Sequence, residues 1–381
     1  MLFSYSFQNK KRDLSDILAS VVKDSPRFIS NFRTVENATQ QKHEWLEDQI
    51  AGRSITAAAN SNGILTVSAA DSAKVAVGTL LTFKDDSALF VVNAVNGTSV
   101  TVTLASSNGS ALTAANIPAE GGIFNIVSTP VGEGSIFGDA TGITGNAEYN
   151  CTQIFRKDII LSGSAMAVNV FGNVDNLLNR QTSFALDELA RDLNRVALFG
   201  RRVEAAPNVR GEAGGLYYFG CGENALDIDA DGNTLDSFII NDAAQAVLSE
   251  GGDPMQILCS PCQARVLSSE YKHNLQILRS DDRRGAYVAQ IVNEINGRGM
   301  VIMADPDVPD NDAWVIDPNG FGLANLQGRG ICDEDATPKG FDGIKRMALG
   351  ELTFEFKNAK QRLCRIKNLL ASSEAIAAMK G

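Results

Sequence analysis

Two short motifs have the residue types and spacing for chemistry. Cys259-Ser-Pro-Cys262 has the spacing of a redox CxxC. It falls at an expected strand-to-helix junction, where the amides of a helix N-terminus would lower a thiol pKa. Ser260-Pro261 is equally explained as a helix start, with serine as cap and proline at the first helical position. That explanation is the preferred one. Asp227-Ile-Asp-Ala-Asp-Gly232 sets carboxylates at alternate positions, as in the first half of a calcium loop, with Gly232 for the sharp turn. The twelfth position is Phe238, so the closing bidentate carboxylate is missing. Asp227, Asp229 and Asp231 therefore read first as a polar turn and only second as an adventitious Ca²⁺ site. No other metal set and no cofactor is expected.

The rest of the chain offers little to a catalyst. His43 and His273 are the only histidines, which leaves scant material for acid–base or zinc chemistry. No Ser/His/Asp order, HExxH or paired-carboxylate motif is present. The Gly-rich stretch 129–147 carries Gly132, Gly134, Gly138 and Gly142, but it does not link a strand to a helix and has no GK[ST], so a nucleotide site is rejected. The net charge of −11 argues against a protein whose main task is gripping nucleic acid. It suits solubility, or a wall past which a polyanion moves without adhering. Six cysteines spread over 381 residues point to reduced thiols in a cytosolic compartment. The N-terminus does not read as a secretory signal, and no run of about 18 apolar residues could span a membrane. With 44% apolar and 21% charged residues, the chain reads as folded and long enough for two or three domains.

The elements that must position these residues are organised around a helix predicted over 173–202. Leu178, Leu186, Leu189, Leu193, Val196 and Ala197 recur at helical steps. Asn173 or Asp175 can cap it, Asp187 with Arg191 and Asp192 with Arg195 can pair one turn apart, and Gly200 can end it before Arg201 and Arg202. Ahead of it, Leu14–Val22 carries an amphipathic patch that ends at Ser25-Pro26. Arg27–Gln41 is polar and non-periodic, either a loop-rich domain start or an arm packed on a neighbour. Residues 53–128 lose charge and show five β-prone runs: Ile64–Val67, Leu80–Lys84, Ala88–Val95, Ser99–Leu104 and Gly122–Val127. Asn96-Gly97 makes a hairpin turn between two of them. A small inserted all-β module follows, barrel or sandwich, read as a spacer or surface domain. Residues 148–170 read as one long strand with Tyr149, Cys151, Phe155, Ile159 and Leu161 on one face.

After the helix, 205–340 has an α/β rhythm. Gly214–Phe219 is a Gly-led apolar run, Ser237–Glu250 a helix with Ile239, Ala243, Ala246 and Val247 in one stripe, and Met255–Cys259 a buried strand. A helix runs from Ser260 to about Tyr271, and Val301–Ala304 and Trp314–Ile316 are strands. Tyr287–Ile295 fits either a helix or a hairpin strand. Leu352, Phe354 and Phe356 alternate in a closing strand, Asn358-Ala359 turns, Leu363–Leu369 returns, and a short helix covers about 373–380.

Taken in order, these segments resemble the tailed-phage major capsid proteins of the Hong Kong 97 type, in the branch with a β-rich insertion before the spine helix. Lys11-Arg12-Asp13-Leu14-Ser15-Asp16 and Ser25-Pro26-Arg27-Phe28 match the opening of the N-terminal arm. His43-Glu44-Trp45 and Tyr149-Asn150-Cys151-Thr152-Gln153-Ile154-Phe155 match the strands entering and leaving the extended loop; the family usually has an aromatic where Cys151 stands. Leu189–Arg195 with Phe199-Gly200-Arg201-Arg202 matches the spine helix, Gly214-Gly215-Leu216 the opening of the axial domain, and Gly350–Glu355 with Lys357-Asn358 the last long strand of the peripheral domain.

The resemblance implies an α+β capsid fold with an inserted small all-β domain. Its parts would be an N-terminal arm (1–40), extended-loop strands (41–52 and 148–170), the insert (53–128), a Gly-rich linker (129–147), a peripheral domain from the spine helix (171–204) and C-terminal strands (341–381), and an axial domain (205–340). For Tyr287–Ile295 it favours a strand. It implies a homo-oligomer of pentamers and hexamers that closes the shell of a virion, assembled in the host cytoplasm. The shell would enclose double-stranded DNA without sequence-specific binding, with scaffold, portal and decoration proteins as partners and no membrane. The scaffold would be a separate protein or absent, since no long coiled-coil-like leader precedes the arm. Inter-subunit contact candidates are Lys11, Arg12, Phe28, Trp45, Tyr149, Gln153, Phe155, Arg156, Lys157, Arg201 and Arg202. The competing functions are an encapsulin-like cellular compartment shell and an α/β enzyme with a β accessory domain.

Overall fold

A computed structural model of the chain describes residues 27–47, 54–84, 86–118, 122–131, 146–167, 177–222, 225–270 and 289–370. The expectations for Lys11, Arg12, the patch 14–22, the caps Asn173 and Asp175, the four linker glycines, His273 and the helix at 373–380 lie outside the described residues. The chain divides into two units, one of residues 1–45 with 149–381 and one of 46–148.

In chain order, the strands begin with β1 (Arg33–Thr34), β2 (Lys42–Glu47), β3 (Ser54–Ser61) and β4 (Ile64–Val67). A short helix α1 (Ala69–Ser72) precedes β5 (Leu80–Phe83), β6 (Leu89–Asn96), β7 (Ser99–Ser106), β8 (Gly122–Ser128), β9 (Asn146–Cys151) and β10 (Gln153–Ser162). Then come α2 (Gly163–Ala167), the long helix α3 (Leu177–Phe199), α4 (Leu216–Gly220), β11 (Leu226–Asp229), α5 (Ser237–Ser249), β12 (Gln256–Cys259) and α6 (Pro261–Glu270). The chain closes with β13 (Gln290–Val292), β14 (Gly299–Ala304), β15 (Ala313–Ile316), β16 (Phe321–Asn325), β17 (Cys332–Asp335), β18 (Gly343–Phe356), α7 (Ala359–Arg362) and β19 (Leu363–Lys367).

Strands β3 to β8 close a barrel in the order β3-β4-β7-β6-β5-β8. Closure removes the unpaired edges that an open sheet of this size would present. The barrel is filled by Ile55, Leu65, Leu81, Phe90, Val100 and Phe124, all buried. Five strands were expected; the sixth is β3, whose Ala-rich SITAAANS has weak β propensity and is recruited by its neighbours on both sides. Its turn into β4 is Asn62-Gly63, both left-handed at φ 50° and 86°, the conformation that Asn and Gly adopt at least cost.

In the other unit, one five-stranded sheet runs β1-β16-β18-β10, with β17 also on β18. Helix α3 packs against β10 and β18. Its buried stripe is Ala185, Leu189, Leu193, Asn194, Ala197 and Leu198. Leu186, placed on the stripe by period alone, is 40% exposed, and Ala185 takes its place. Two of the charged side chains expected to pair within the helix make tertiary ion pairs: Asp192 meets Lys157 of β10 at 2.6 Å, and Arg195 meets Asp307 at 2.8 Å. A six-stranded sheet runs β11-β19-β15-β12-β14-β13. Its own core includes Ile240, Ala243, Ala244 and Val247 of α5, with Ile239 and Ala246 of the expected stripe half-buried against it. The 287–295 stretch contributes the strand β13. The run Gly214–Phe219 is not extended but turns into α4 behind Gly215, where a side chain would strike the last carbonyls of α3.

Three further expectations are revised. The long strand breaks at Thr152, where the chain leaves the two-stranded β2–β9 ribbon and joins β18 as β10. Strands β18 and β19 are not partners: β18 lies in the five-stranded sheet and β19 pairs with β15 and β11. Residues 28–38, expected in the arm, pack on their own subunit. Phe28–Asn31 forms a 3-10 turn, β1 pairs in parallel with β16, and Ala38 bridges Leu326. Phe28 and Phe32 join Phe321, Phe354 and Phe356 in an aromatic cluster with centroids 5.2–5.8 Å apart.

Two outcomes follow from this packing. A fragment spanning Leu46–Glu148 is expected to unfold cooperatively by itself, and Leu65→Ala within it to cost about 2–5 kcal/mol in a denaturant titration. A non-cooperative fragment would show that the barrel depends on the rest of the chain. In the whole subunit, Phe28→Ala should cost about 3–5 kcal/mol, whereas a loss no larger than that of an exposed surface substitution would place residues 28–38 outside the cooperative core.

Candidate assembly surfaces

The root of the β2–β9 ribbon is built around one buried amide. Asn150 of β9 is fully buried and uses its whole amide. Its Nδ2 donates to the carbonyls of Gly214 (3.0 Å) and Phe354 (2.8 Å). Its Oδ1 accepts from the amides of Gly214 (2.7 Å) and Cys151 (2.9 Å). Two donors and two acceptors are all that an asparagine head offers. On either side, Arg202 donates to the Tyr149 carbonyl at 2.9 Å, Thr152 N–H donates to the Gln41 carbonyl at 2.8 Å, and the Ala213 amide donates to Gln153 Oε1 at 3.1 Å. Thr152 Oγ1 also donates to Glu351 of β18 at 2.8 Å, and Arg329 holds the other Glu351 oxygen at 2.9 Å.

A second buried carboxylate ties β2 to β18. Glu355 is 4% exposed and meets His43 Nε2 at 2.6 Å and Lys357 Nζ at 2.9 Å. Burial pushes its pKa up, but the hydrogen bonds from His43 and Lys357 outweigh it and hold the carboxyl below its ordinary value. Gly322 of β16 lies opposite; a Cβ there would come within 2.8 Å of Glu355 Oε2. A third polar knot joins the spine helix to the start of the described chain. Asn194 Oδ1 accepts from the Ile29 amide (3.1 Å), its Nδ2 donates to Asp305 (3.0 Å) and Asp307 (3.1 Å), and Asp305 accepts from the Phe28 amide (3.1 Å).

The contact candidates separate into two groups. Phe28, Trp45 and Phe155 are 0%, 6% and 5% exposed, and all three belong to their own subunit's core. They are corrected from neighbour-facing to intramolecular residues, because α3, α4 and the five-stranded sheet cover them. Tyr149 is half-buried, with Lys42 Nζ 4.1 Å and Arg202 Cζ 3.9 Å from its ring centre. Gln153 and Lys157 are bound within the subunit as above, and Arg201 forks onto Glu212 at 2.6 and 3.0 Å. Arg156 stays exposed beside Asp158, between Ile154 and Ile160 on the outward face of β10, which are 55% and 60% exposed. Among the described residues, Leu46 at 81%, Val131 at 77% and Phe238 at 76% are the most exposed large apolar side chains. Sequence reasoning missed Ile154 and Ile160, although β10 carries apolar residues on both faces, a pattern typical of strands covered on both sides.

The two chemical motifs do not make sites. Cys259 is buried in β12, and burial pushes its thiol up to about 12, opposite to what a redox pair needs. Ser260 caps α6 by accepting from the Gln263 amide at 3.2 Å, as the helix-start reading expects. Asp227 pairs with Lys367 at 3.6 Å, and Asp229 accepts from Asn368 and from the Asp231 amide. Asp231 and Gly232 make a left-handed turn, φ 52° and 78°. Among the described residues no three His, Cys, Asp or Glu side chains converge on a metal position, so the Ca²⁺ candidate is withdrawn: the carboxylates serve the turn onto β19. A polar recess of about 450 Å³ lies at the ribbon root, lined by Gln40, Lys42, Glu44, Thr152 and Glu204 among others, with no histidine in it.

The family model described as SU10 major capsid protein matches residues 2–370. No curated protein matches the chain by sequence. Among solved structures, the cyanophage A-1(L) capsid asymmetric unit is similar at a TM-score of 0.56 and 13% identity, over 97% of this chain and 100% of that one. The capsid of an empty GTA particle is similar at 0.53 and 9%, with the same two coverages of 97% and 100%. A structure from Microbacterium phage Oxtober96 is similar at 0.50 and 11%, over 94% and 95%. At such identities these likenesses speak to the fold, which is the Hong Kong 97-type architecture that the segment order resembles.

The Glu355 knot gives a pH dependence. A carboxyl whose folded pKa lies below its unfolded one contributes stability above the ordinary value of 4.5 and loses it as the pH falls through the lowered folded value. Glu355→Gln should therefore cost about 1.5–3 kcal/mol at pH 7, and the gap from the unaltered chain should close below the ordinary glutamate range. Urea titrations at pH 7 and pH 3.5 check this; a gap that is the same at both pH values would remove the ion pair from the account.

Proposed function

We propose that this chain, which belongs to the SU10 major capsid protein family and forms the shell of a phage head, assembles as pentamers and hexamers of one repeated subunit. The observation that carries the mode of assembly is the β2–β9 ribbon. Two strands alone are marginal in water, yet this pair displays Leu46 at 81% exposure. A neighbouring subunit that covers the ribbon supplies the missing burial. Repeated head-to-tail contacts of this kind close into rings, and rings of five and six close into a shell. Residues 1–26 serve in the same reading as the part of the arm that reaches a neighbour, with Lys11 and Arg12 on it. The outward face of β10, with Ile154, Arg156 and Ile160, is a further contact face. Residues 205–340, as the axial domain, surround the ring axes.

The shell encloses double-stranded DNA without reading its sequence, in keeping with a net charge of −11. It is built in the host cytoplasm, with scaffold, portal and decoration proteins as partners. The role is structural. Family membership favours a genome-enclosing head over a cellular compartment shell, and the buried Cys259 and the engaged Asp227–Asp231 turn weigh against an α/β enzyme. The barrel is a surface or spacer domain.

Negative-stain electron microscopy of the purified chain, alone and with the products of its neighbouring genes, tests the proposal. Closed shells, or rings of five and six, are the expected outcome. Compact monomers or dimers under every salt and scaffold condition would overturn it.

A further inference from the structure

The chain changes sheets at a single residue. Strand β9 ends at Cys151 in the two-stranded ribbon, β10 begins at Gln153 in the five-stranded sheet, and Thr152 stands between them. Tyr149, Asn150, Thr152 and Gln153 are each held there by a group from elsewhere in the chain. Arg202 and Gly214, from the segment that follows α3, hold Tyr149 and Asn150. Phe354 and Glu351 of β18 hold Asn150 and Thr152, and Gln41 accepts from the Thr152 amide. The bonds at Asn150 and Thr152 are buried. Such a density of directional bonds is more than a connection between two strands needs for stability alone, and all of it restrains one corner.

We propose that Asn150 and Thr152 are positioning residues for assembly, which fix the angle and register at which the ribbon root leaves the peripheral sheet and thereby the curvature of the shell. The inference rests on the shell reading above. Two magnitudes support it. A six-residue strand spans about 20 Å, so a tilt of about 10° at the corner moves the ribbon's far end by roughly 3 Å, enough to lose a side-chain contact with a neighbour. A slip of one residue at Thr152 would exchange the two faces of β10, turning Phe155 and Ile159 outward and Ile154 and Ile160 toward α3. Asparagine is suited to the corner because one planar head gives two donors to two carbonyls and two acceptances from two amides. Aspartate keeps the shape but turns a carboxylate toward the carbonyls of Gly214 and Phe354. Valine at 152 keeps the volume and drops the bond to Glu351.

The test uses the full chain under the conditions in which the unaltered protein forms shells. Thr152→Val leaves Arg329 on Glu351 and is expected to stay folded, with exchange in α3 changed less than at the ribbon. Exchange at residues 42–47 should rise at least tenfold, and particles of the unaltered diameter should fall at least tenfold per folded subunit, replaced by shells or sheets of other curvature. Asn150→Asp should show the same changes more strongly; should it fail to fold, Thr152→Val decides alone. If the particles that form keep the unaltered diameter, fewer or not, the corner serves stability only and the proposal fails. If the unaltered chain forms no shells at all, it is the shell reading that fails, and the two failures are thus distinct.

Discussion

Residues 350–356 of β18 are buried on both faces, and the rest of the larger unit is arranged to make that tolerable. Leu352, Phe354 and Phe356 meet aromatic and aliphatic partners on one face. The alternate positions on the other face include two carboxylates, Glu351 and Glu355. An unpaired buried charge is costly, and the cost falls only when the group is both paired and hydrogen-bonded. Glu351 is held by Thr152 and Arg329, and Glu355 by His43 and Lys357. The partners come from the ribbon root, from the loop before β17, and from the end of β18 itself. Satisfying two carboxylates therefore brings separate lengths of chain to one strand.

The same logic recurs at the spine. Asn194 faces inward from α3, where a helix of this amphipathic type would carry leucine, and it is fully buried. Its amide links the Ile29 backbone to Asp305 and Asp307. This polar contact lies beside the aromatic cluster around Phe28, so hydrophobic burial supplies the larger share of the energy and the hydrogen bonds supply the address. Residues 28–38 are for this reason part of the subunit's body.

A subunit that repeats many times in a shell needs contact faces more than it needs a pocket, and the distribution of polar chemistry agrees with this. The thiol that could be reactive is sealed in a strand, the acidic turn is tied to Asn368 and Lys367, and the buried ion pairs lie between structural elements. Exposed apolar side chains remain on the ribbon, the outward face of β10 and the start of α5, and others lie on the barrel unit and around β13. The barrel is self-contained, with its own core and no open edge, which lets it be inserted without disturbing the fold around it.

The sequence by itself determined the elements whose signals are local. The spine helix was legible from its 3.6-residue stripe and its end at Gly200, the insert from its loss of charge and its turn dipeptides, the start of α6 from Ser260-Pro261, and the closing strand from the alternation of Leu352, Phe354 and Phe356. The order of these segments was enough to suggest the family. Only the tertiary structure decided what depends on distant partners. Strand β3 exists because two neighbours pair with it, not because its alanines favour a strand. Strands β18 and β19, adjacent in sequence, separate into different sheets because the pairing energy comes from strands far along the chain. Phe28, Trp45 and Phe155 look alike in sequence whether they face a neighbour or a core, since periodicity reports that a side chain is to be buried and not by what. The corner at Asn150 was invisible for the same reason: an asparagine's four hydrogen bonds leave no trace in spacing, and they arise only when the segments from 214 and 354 arrive beside it.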